Sequence, residues 1–333
     1  MEEKIDFIIT WVDGNDKDWQ EEKRHHSPSK KEDDRNIRYR DWGILKYWFR
    51  GVEQNASWVN KIHFVTWGHI PSWLDVNNPK INIVQHKDFI PKKFLPTFNS
   101  RVIELFFHKI EGLTDKFIYF NDDMFLINKT EVTTFFKNGL PKDQFILDAV
   151  TPIDDTFNAA IFNDVKIINK HFKKKDVLKK KITKIYNYKY GKNVLKNLIL
   201  SPWKEFTGFY NSHLPVPYLK SSFNEVWDLE PQILEETCKH RFRNNSNVNH
   251  FLIRYYQLVT GRFETSKGIG RYMALTDNND GIFDTIRSSK HKVICINDAD
   301  PKLNFNDTQK RLIETFEIVY PEKSSFEKRN FEI

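Results

Sequence analysis

Short apolar runs of strand length alternate with longer amphipathic stretches in the first half of the chain. Four runs are rich in β-branched and aromatic residues, as buried strands are. They lie at residues 5–11, 61–67, 81–85 and 117–120. Between them, apolar residues recur at helical spacing over residues 38–52 and 98–110. This alternation predicts an α/β fold with a mostly parallel sheet and helices on its faces.

The fourth run ends in three consecutive polar residues, Asn121, Asp122 and Asp123. Ligands of open α/β sheets bind at the carboxyl ends of the strands, so the two carboxylates are expected to face that crevice. Such a pair suits Mg²⁺, which takes oxygen ligands and shares them with substrate phosphates. The alternative is a strand that ends in a capped turn, because Asn and Asp are ordinary turn residues.

The first run ends in a similar polar turn, in which Asp13 is expected to face the crevice and Gly14 follows it. Asp-Gly is a common turn pair, so a purely structural turn is the alternative. Arg38 and Arg40 precede the first predicted helix, whose N-cap is assigned to Asp41. They stand close to where an anion can meet a helix N-terminus, although solvated surface arginines are the more frequent explanation.

Two further stretches complete the expected elements of the chain. Residues 16–36 are charged and poor in apolar side chains, which predicts a mobile loop. The run at 292–297 predicts a strand that ends just before Asp298, and Asp307 or Thr308 is expected to cap a C-terminal helix.

The composition changes at residues 169–200, which are crowded with lysine and hold one acid, Asp176. Apolar residues fall on one side of a predicted helix there and the lysines on the other. A basic amphipathic helix suits an anionic membrane surface. A helix packed on the domain with a solvated lysine face is an equal alternative, and nucleic acid ranks third.

Two candidate residues lie further along the chain, outside any strand end. Two prolines stiffen the stretch at 208–218, which holds His213, a plausible proton acceptor. Arg243 precedes a predicted amphipathic helix at 248–259. A lone histidine in a loop is more often polar surface than a catalytic residue.

The overall charge and length limit the possible partners and the class of protein. With 333 residues, 28 Phe and 9 Trp, the chain can bury a substantial core and is not expected to be disordered. Its formal net charge of +7 favours an anionic partner, such as a phosphate-bearing substrate, an anionic membrane face or nucleic acid.

Cysteine use and the N-terminus suggest a reducing compartment. Cys238 and Cys295 are far apart and form no CxxC pair, so a disulfide framework or a thiolate zinc site is not expected. The N-terminal apolar run is too short for a signal peptide, and no segment has the roughly 18 apolar residues that span a bilayer. We therefore expect a cytoplasmic location, with peripheral contact at the inner face of the plasma membrane as one interpretation of the lysines.

Five stretches together resemble a known family. They are IDFIITWVDGND, RYRDWGILKYWFRGVEQNASWVNKIHFVT, LPTFNSRVIELFFHKIEGLTDKFIYFNDDMF, a segment containing HLP, and VICINDAD. In this order they resemble the four signature regions of the Stealth family over residues 5–320. These bacterial capsular and exopolysaccharide phosphotransferases are similar to the catalytic part of the animal enzyme that adds N-acetylglucosamine-1-phosphate to lysosomal glycoproteins.

The resemblance implies transfer of a sugar-1-phosphate from a nucleotide sugar, expected to be UDP-linked, to a hydroxyl of an acceptor glycan. The products would be a phosphodiester and a nucleoside monophosphate, and the acceptor in several members is lipid-linked. It also implies a Rossmann-like fold with a variable helical part. We therefore expect a nucleotide-sugar-binding lobe at 1–150, a basic helical insertion at 151–204 and a lobe at 205–333 that completes the active site.

The resemblance also suggests roles for single residues. Asp122, Asp123 and Asp298 match acids that would bind Mg²⁺ or Mn²⁺, with Asp123 also counted as catalytic. His213 would be the base. Arg243 would neutralise phosphoryl charge, although neighbouring Arg241 leaves that alignment open.

The remaining assigned residues would contact the nucleotide. They are Asp13, Gly14, Asn15, Arg38, Arg40 and Asn121, with the glycine allowing close approach of the backbone.

Two other functions remain open at the level of sequence. A metal-dependent glycosyltransferase would present a similar acidic strand end but release a nucleoside diphosphate. A noncatalytic binder of anionic glycan or nucleic acid would use lysines and aromatics alone. Carboxylates at three predicted strand ends argue against the binder, since they repel a polyanion.

Overall fold

The computed structural model describes residues 3–26, 39–298 and 303–329 and confirms a mixed α/β fold with flanking helices. Its strands are β1 (Asp6–Thr10), β2 (Ile62–Thr66), β3 (Ile81–Gln85), β4 (Lys116–Asn121), β5 (Met124–Leu126), β6 (Phe136–Lys137), β7 (Leu140–Asp143), β8 (Val216–Leu219), β9 (Glu264–Thr265), β10 (Gly270–Ala274) and β11 (Val293–Asn297).

The helices lie on both faces of the main sheet and in the second half of the chain. They are α1 (Lys17–His25), α2 (Leu45–Asn55), α3 (His86–Phe89), α4 (Ser100–Leu105), α5 (Val132–Phe135), α6 (Thr156–His171), α7 (Lys174–Lys180), α8 (Ile182–Ile185), α9 (Val194–Leu200), α10 (Lys220–Leu229), α11 (Pro231–Lys239), α12 (Phe251–Thr260), α13 (Asp280–Ser288) and α14 (Phe305–Val319). Short 3₁₀ turns lie at Lys92–Phe94, Phe107–Lys109 and Tyr188–Asn193.

The main sheet has the strand order β3-β2-β1-β4-β8. The first four strands are parallel, as the alternating pattern predicted, and β8 pairs antiparallel with β4 at one edge. Thr10 of β1 is level with Asn121 of β4, so the carboxyl ends of these strands lie side by side. The crevice therefore opens beyond Thr10 and Asn121.

A second sheet, in the order β10-β11-β5, brings the end of the chain to this crevice. After β4 the chain turns at Asp122 and Asp123 into β5, which pairs antiparallel with β11. The Ile296 amide donates to the Asp123 carbonyl at 2.8 Å. Residues about 175 positions apart thus meet beside the acidic turn. A small third sheet has the order β6-β7-β9.

Two large apolar clusters cover opposite faces of the main sheet. Alternate residues of β1 divide between them: Phe7 and Ile9 belong to the first cluster and Ile8 to the second. The second cluster contains Phe117 of β4 together with Val165 of α6 and Ile185 of α8. The proposed division at 150 and 204 stays a prediction, and these segments share one core.

The predicted loop at 16–36 is wrong over its described part. Residues 17–25 form α1, which begins at Asp16, whose Oδ1 accepts the Trp19 amide at 2.8 Å. Trp19 is buried against Tyr39 and Phe98. One aromatic anchor and a side-chain cap are sufficient to fold a charged segment onto the domain. Residues 27–36 lie outside the described residues.

The predicted helix caps and the lysine-rich helix also need correction. Asp41 does not cap α2, which begins four residues later with Ile44 at its N-cap position; Asp41 instead accepts the Gly43 amide. Asn304, and neither Asp307 nor Thr308, caps α14. The lysine-rich stretch is broken at Lys181 (φ −121°, ψ 21°) into α7 and α8. Local spacing does not reveal this break, because lysines on either side of it make hydrogen bonds to distant parts of the chain. Lys174 donates to the Leu200 carbonyl, and Lys184 donates to the Gly261 carbonyl.

A buried charge network attaches the C-terminal segment to α2. Arg50 is 2% exposed, and its guanidinium donates to both carboxylate oxygens of Glu327 at 2.8 and 2.9 Å and to the Tyr320 carbonyl at 2.7 Å. Glu317 contacts the same guanidinium at 3.3 Å from an exposed position. Burial tends to raise the pKa of Glu327, but hydrogen bonds from Arg50 and Ser324 outweigh it and hold that pKa below its ordinary value.

We expect Glu327→Ala to lower the free energy of unfolding by about 3–5 kcal/mol, because it leaves the buried Arg50 charge without its partner. Glu235→Ala is the matched control and should cost under about 1 kcal/mol, because its contact with Lys93 at 3.0 Å is solvated. Urea unfolding measures both. Since the pKa of Glu327 is lowered on folding, the difference between the variants should be full above pH 4.5 and shrink as the pH falls below it. Equal losses at neutral pH would contradict this account.

Candidate active site

A cleft of about 820 Å³ lies at the carboxyl ends of β1 and β4. It contains seven of the residues assigned from the sequence: Arg40, Asn121, Asp122, Asp123, His213, Arg243 and Asp298. They come from both sheets and from the loops before β8 and α12. The parallel strands therefore bring together most of the polar side chains that the chain order keeps apart.

Asp123 lies at the centre of the cleft's polar group. Its Oδ2 is 3.6 Å from Nε2 of His213 and accepts a hydrogen bond from the Cys295 thiol at 3.4 Å. One ligand atom from each of these three side chains lies within 4.8 Å of the others. The other Asp123 oxygen, Oδ1, is buried and has no hydrogen-bond partner among the described residues. An orphaned carboxylate oxygen in a polar cleft is suited to a cation.

Asp122 points into the same cleft and is open to it. Desolvation by the enclosing walls, then the charge of Asp123 and then that of Asp41, raise the pKa of Asp122 to about 8. Burial, together with the charge of Asp13, also raises the pKa of Asp41. The charges of Asp123 and Asp41 thus oppose the ionisation of Asp122, and a bound cation would relieve that repulsion.

The donor set fits a hard divalent ion through its oxygens. Burial and the Asp123 charge raise the pKa of the Cys295 thiol well above its ordinary value, so it remains protonated and is a poor ligand for Mg²⁺. Asp122 and Asp123 supply the carboxylates, and the His213 imidazole is an acceptable neighbour for Mn²⁺.

Asp298 lies in the cleft but is already paired. Arg40 donates from Nε and Nη2 to both of its oxygens at 2.8 Å, and the Trp42 indole donates to one of them at 3.1 Å. The sequence assigned Asp298 to a metal and Arg40 to the nucleotide. The structure joins them to each other in the cleft wall, and those two roles stay predictions.

The two neighbouring arginines, Arg241 and Arg243, lie in different surroundings, and the phosphoryl-binding role of Arg243 stays a prediction. Arg243 lines the cleft, and its Nη2 donates to Ser100 Oγ at 2.8 Å. Arg241 is exposed away from the cleft, and its carbonyl accepts the Phe98 amide. Asn247 holds the loop by accepting from the Asn244 amide at 2.9 Å.

The turn after β1 has a structural explanation. Asp13 accepts the Asn15 amide at 2.9 Å, and a Cβ on Gly14 would lie 2.0 Å from the Tyr39 carbonyl oxygen. The glycine thus makes room for the protein's own backbone. Residues 13–15 are not among those that line the cleft, and their proposed nucleotide contact stays a prediction. Arg38 lies outside the described residues.

Asn121 lies at the base of the cleft. Its Oδ1 accepts from the Tyr119 hydroxyl at 2.5 Å, and that hydroxyl also approaches the buried Glu104 at 3.3 Å. This small network fixes the end of β4 at the cleft.

His213 is held in an uncommon backbone conformation. Its φ is 49°, in the left-handed region that favours glycine, and the Tyr272 ring packs edge-on against its imidazole at 5.5 Å. Strain at a cleft residue is typical of functional sites. The chain therefore holds the imidazole beside Asp123 even though its own local conformation is unfavourable.

Reasoning from sequence patterns missed four residues of the site. Asp41 is predicted only as a helix cap, and Cys295 only as a cysteine without a disulfide or zinc partner. Ser100 is the first residue of α4, which Asn99 caps. Tyr272 lies on β10, which no apolar run predicted. None of these side chains carries a local signal, because each gains its role from a partner distant in sequence.

Comparisons with known proteins find that three segments of this chain match conserved regions of one family. Three family models match the chain: Stealth protein CR1, conserved region 1, at residues 3–26; CR2, conserved region 2, at residues 38–143; and CR4, conserved region 4, at residues 284–332. These segments include Asp122, Asp123 and Asp298. Mouse xyloside xylosyltransferase 1 in its apo form overlaps this structure with a TM-score of only 0.33 at 11% identity, over 88% of this chain and 98% of that one.

Relatives match over nearly the whole length of this chain. The capsular polysaccharide phosphotransferase WcwK of Streptococcus pneumoniae is 45% identical over 98% of this chain and 99% of its own. The exopolysaccharide phosphotransferase cps2G of Lactiplantibacillus plantarum is 40% identical, covering 97% and 96%. The receptor polysaccharide phosphotransferase WefC of Streptococcus gordonii is 38% identical, covering 98% and 100%. With this similarity and three matching conserved regions, the chain belongs to the Stealth protein family.

Proposed function

We propose that this chain transfers a sugar-1-phosphate from a nucleotide sugar to a hydroxyl of an acceptor glycan in capsular or exopolysaccharide synthesis. The observation that carries the proposal is the contact of His213 with Asp123 at 3.6 Å, in a cleft that Asp122 and Arg243 also line. The three relatives described above are all named as polysaccharide phosphotransferases, which supports the reaction class.

Each polar group then has one task in the reaction. Asp122 and Asp123 would hold Mg²⁺ or Mn²⁺, which when bound neutralises charge on the donor's phosphates. Arg243, fixed by Ser100, would neutralise the equatorial oxygens of the transferred phosphoryl group. His213 would accept the proton of the acceptor hydroxyl through its Nε2.

The bonds balance as a single displacement at phosphorus. The acceptor oxygen bonds to the phosphorus that carries the sugar, and the bond from that phosphorus to the bridging oxygen breaks. The nucleoside monophosphate leaves with the bridging oxygen, and the hydroxyl proton passes to His213. We take the donor to be UDP-linked and the acceptor to be lipid-linked, which would put the reaction at the cytoplasmic face of a membrane.

The first prediction concerns the metal. Chelation by EDTA should abolish turnover, and Asp123→Asn should lose activity while the far-ultraviolet circular dichroism stays unchanged, because it removes ligand charge without changing shape. Asp277→Asn, an exposed acid outside the cleft, is the control. Full activity in EDTA would eliminate the metal from the proposal.

The second prediction concerns the base and the reaction class. His213→Ala should lower kcat by roughly 10² to 10⁴ with little change in donor affinity, because only proton transfer is lost. His291→Ala, which lies outside the cleft, should keep the normal rate. Product analysis should find one nucleoside monophosphate for each phosphodiester. Release of nucleoside diphosphate with a plain glycosidic bond would instead identify a glycosyltransferase.

The third prediction uses the two neighbouring arginines as a matched pair. Arg243→Gln should lower kcat by about 10² to 10³, since one donor to developing phosphoryl charge is lost. Arg241→Gln should leave kcat unchanged because its side chain lies outside the cleft. If the two variants exchange these effects in steady-state kinetics, the cleft arginine is wrongly assigned.

A further inference from the structure

Exposed apolar side chains are concentrated in one part of this molecule. Of the thirteen large hydrophobic residues that are exposed among the described residues, nine fall between residues 153 and 203. Single exposed apolar residues are ordinary, but a concentration of them marks an interaction surface. The same part of the chain, from 173 to 204, carries eleven lysines and one acid.

Helix α9 presents the densest part of this surface. Its Asn197 is fully buried, donates to the Phe145 and Ile185 carbonyls and accepts the Leu147 amide. Two residues on either side of Asn197 lie near the opposite side of the helix. These are Leu195, which is 55% exposed, and Ile199, which is 66% exposed. A buried polar anchor therefore holds the apolar side of α9 towards solvent.

A buried lysine fixes the end of the same helix. Lys174 is 1% exposed, and its ammonium donates to the carbonyls of Leu200 and Trp203 at 2.5 and 3.0 Å. Trp203 itself is 54% exposed, beyond the end of α9. We call Leu195, Leu198, Ile199 and Trp203 the apolar patch. The hydrogen bonds of Asn197 and Lys174 hold the backbone of the patch in place, so the exposure of its side chains is a property of the fold.

The lysines divide into two groups with different tasks. Lys174, Lys184 and Lys189 donate to backbone carbonyls of neighbouring segments and hold this region together. Other lysines are exposed around the patch. These rim lysines are Lys173 and Lys175, which flank the buried Lys174, together with Lys192 and Lys204, which lie just before and after α9.

We infer that the apolar patch inserts into the surface of an anionic lipid bilayer while the rim lysines bind the headgroups. Leu and Ile beside an interfacial Trp, framed by lysine, are the composition of interfacial membrane-binding segments. A second copy of the chain fits poorly, because a two-fold contact would set the same lysines of both copies against each other. Among the described residues no helix is long and apolar enough to cross a bilayer.

The patch also lies next to the proposed acceptor side of the cleft. Lys196, on α9 itself, binds Asp148 at 3.1 Å and lies 5.3 Å from the ring centre of Tyr210. Tyr210 lines the cleft three residues before His213. If the proposed function holds, a bound bilayer would therefore present a lipid-linked acceptor near the imidazole.

The test measures binding to vesicles by sedimentation, without any assay of activity. The full chain should bind vesicles with 40% phosphatidylglycerol far better than pure phosphatidylcholine, and less well as salt rises. Ile199→Ser should weaken the partition constant about tenfold, and the triple variant Leu195→Ser, Leu198→Ser, Ile199→Ser at least 100-fold. Lys173→Gln, Lys175→Gln, Lys192→Gln and Lys204→Gln together should remove the preference for anionic lipid.

The matched control is Ile318→Ser, because Ile318 is also 66% exposed but lies on α14. It should leave vesicle binding unchanged. The triple variant should retain normal turnover on a short soluble acceptor, which separates this inference from the proposed function. Absence of vesicle binding by the unaltered chain, or equal loss with Ile318→Ser, overturns it. A dimer in sedimentation velocity that the triple variant abolishes would assign the patch to a second copy instead.

Discussion

The pairing of β5 with β11 decides where the charged groups of the cleft lie. The chain leaves β4 at Asn121, turns through the two aspartates and enters β5, where Met124 faces Cys295. This antiparallel pairing places Asp298 beyond the end of β11, on the same side as Asp123. Neither sheet alone would form the cleft, because one supplies the acidic turn and the other supplies its opposite wall.

Repulsion between carboxylates is concentrated at the acidic turn, because only some of the nearby acids have a positively charged partner. Asp122 and Asp41 have raised pKa values from desolvation and from the charges of neighbouring acids. Asp298 does not add to this repulsion, because Arg40 binds both of its oxygens. Unrelieved repulsion therefore remains at Asp122 and Asp123, where a cation would remove it. Stability lost at such a site is commonly exchanged for function.

Sequence patterns could predict the parts of this structure that depend on neighbours in the chain. The strands β1 to β4 and their parallel order follow from apolar runs and spacing, and the strand-end acids follow from where those runs stop. The helix α1 was missed because its stability rests on Trp19, which packs on distant aromatics. Likewise, the pairing of Arg40 with Asp298 spans 258 positions, and no local pattern contains it.

The lysine-rich stretch at residues 169–200 shows why composition alone does not predict which side chains of a segment are exposed. Periodicity predicted one helix with apolar residues on one side and lysines on the other. The structure breaks that helix, buries Lys174, and turns the apolar side of α9 to solvent because Asn197 holds the opposite side. Net charge would be the same in either arrangement. The difference is that a lysine surface alone attracts anions without a fixed depth, whereas an apolar patch framed by lysine sets both depth and orientation. Because α9 contacts Tyr210 of the cleft wall, that orientation would also fix which side of the cleft meets the bilayer.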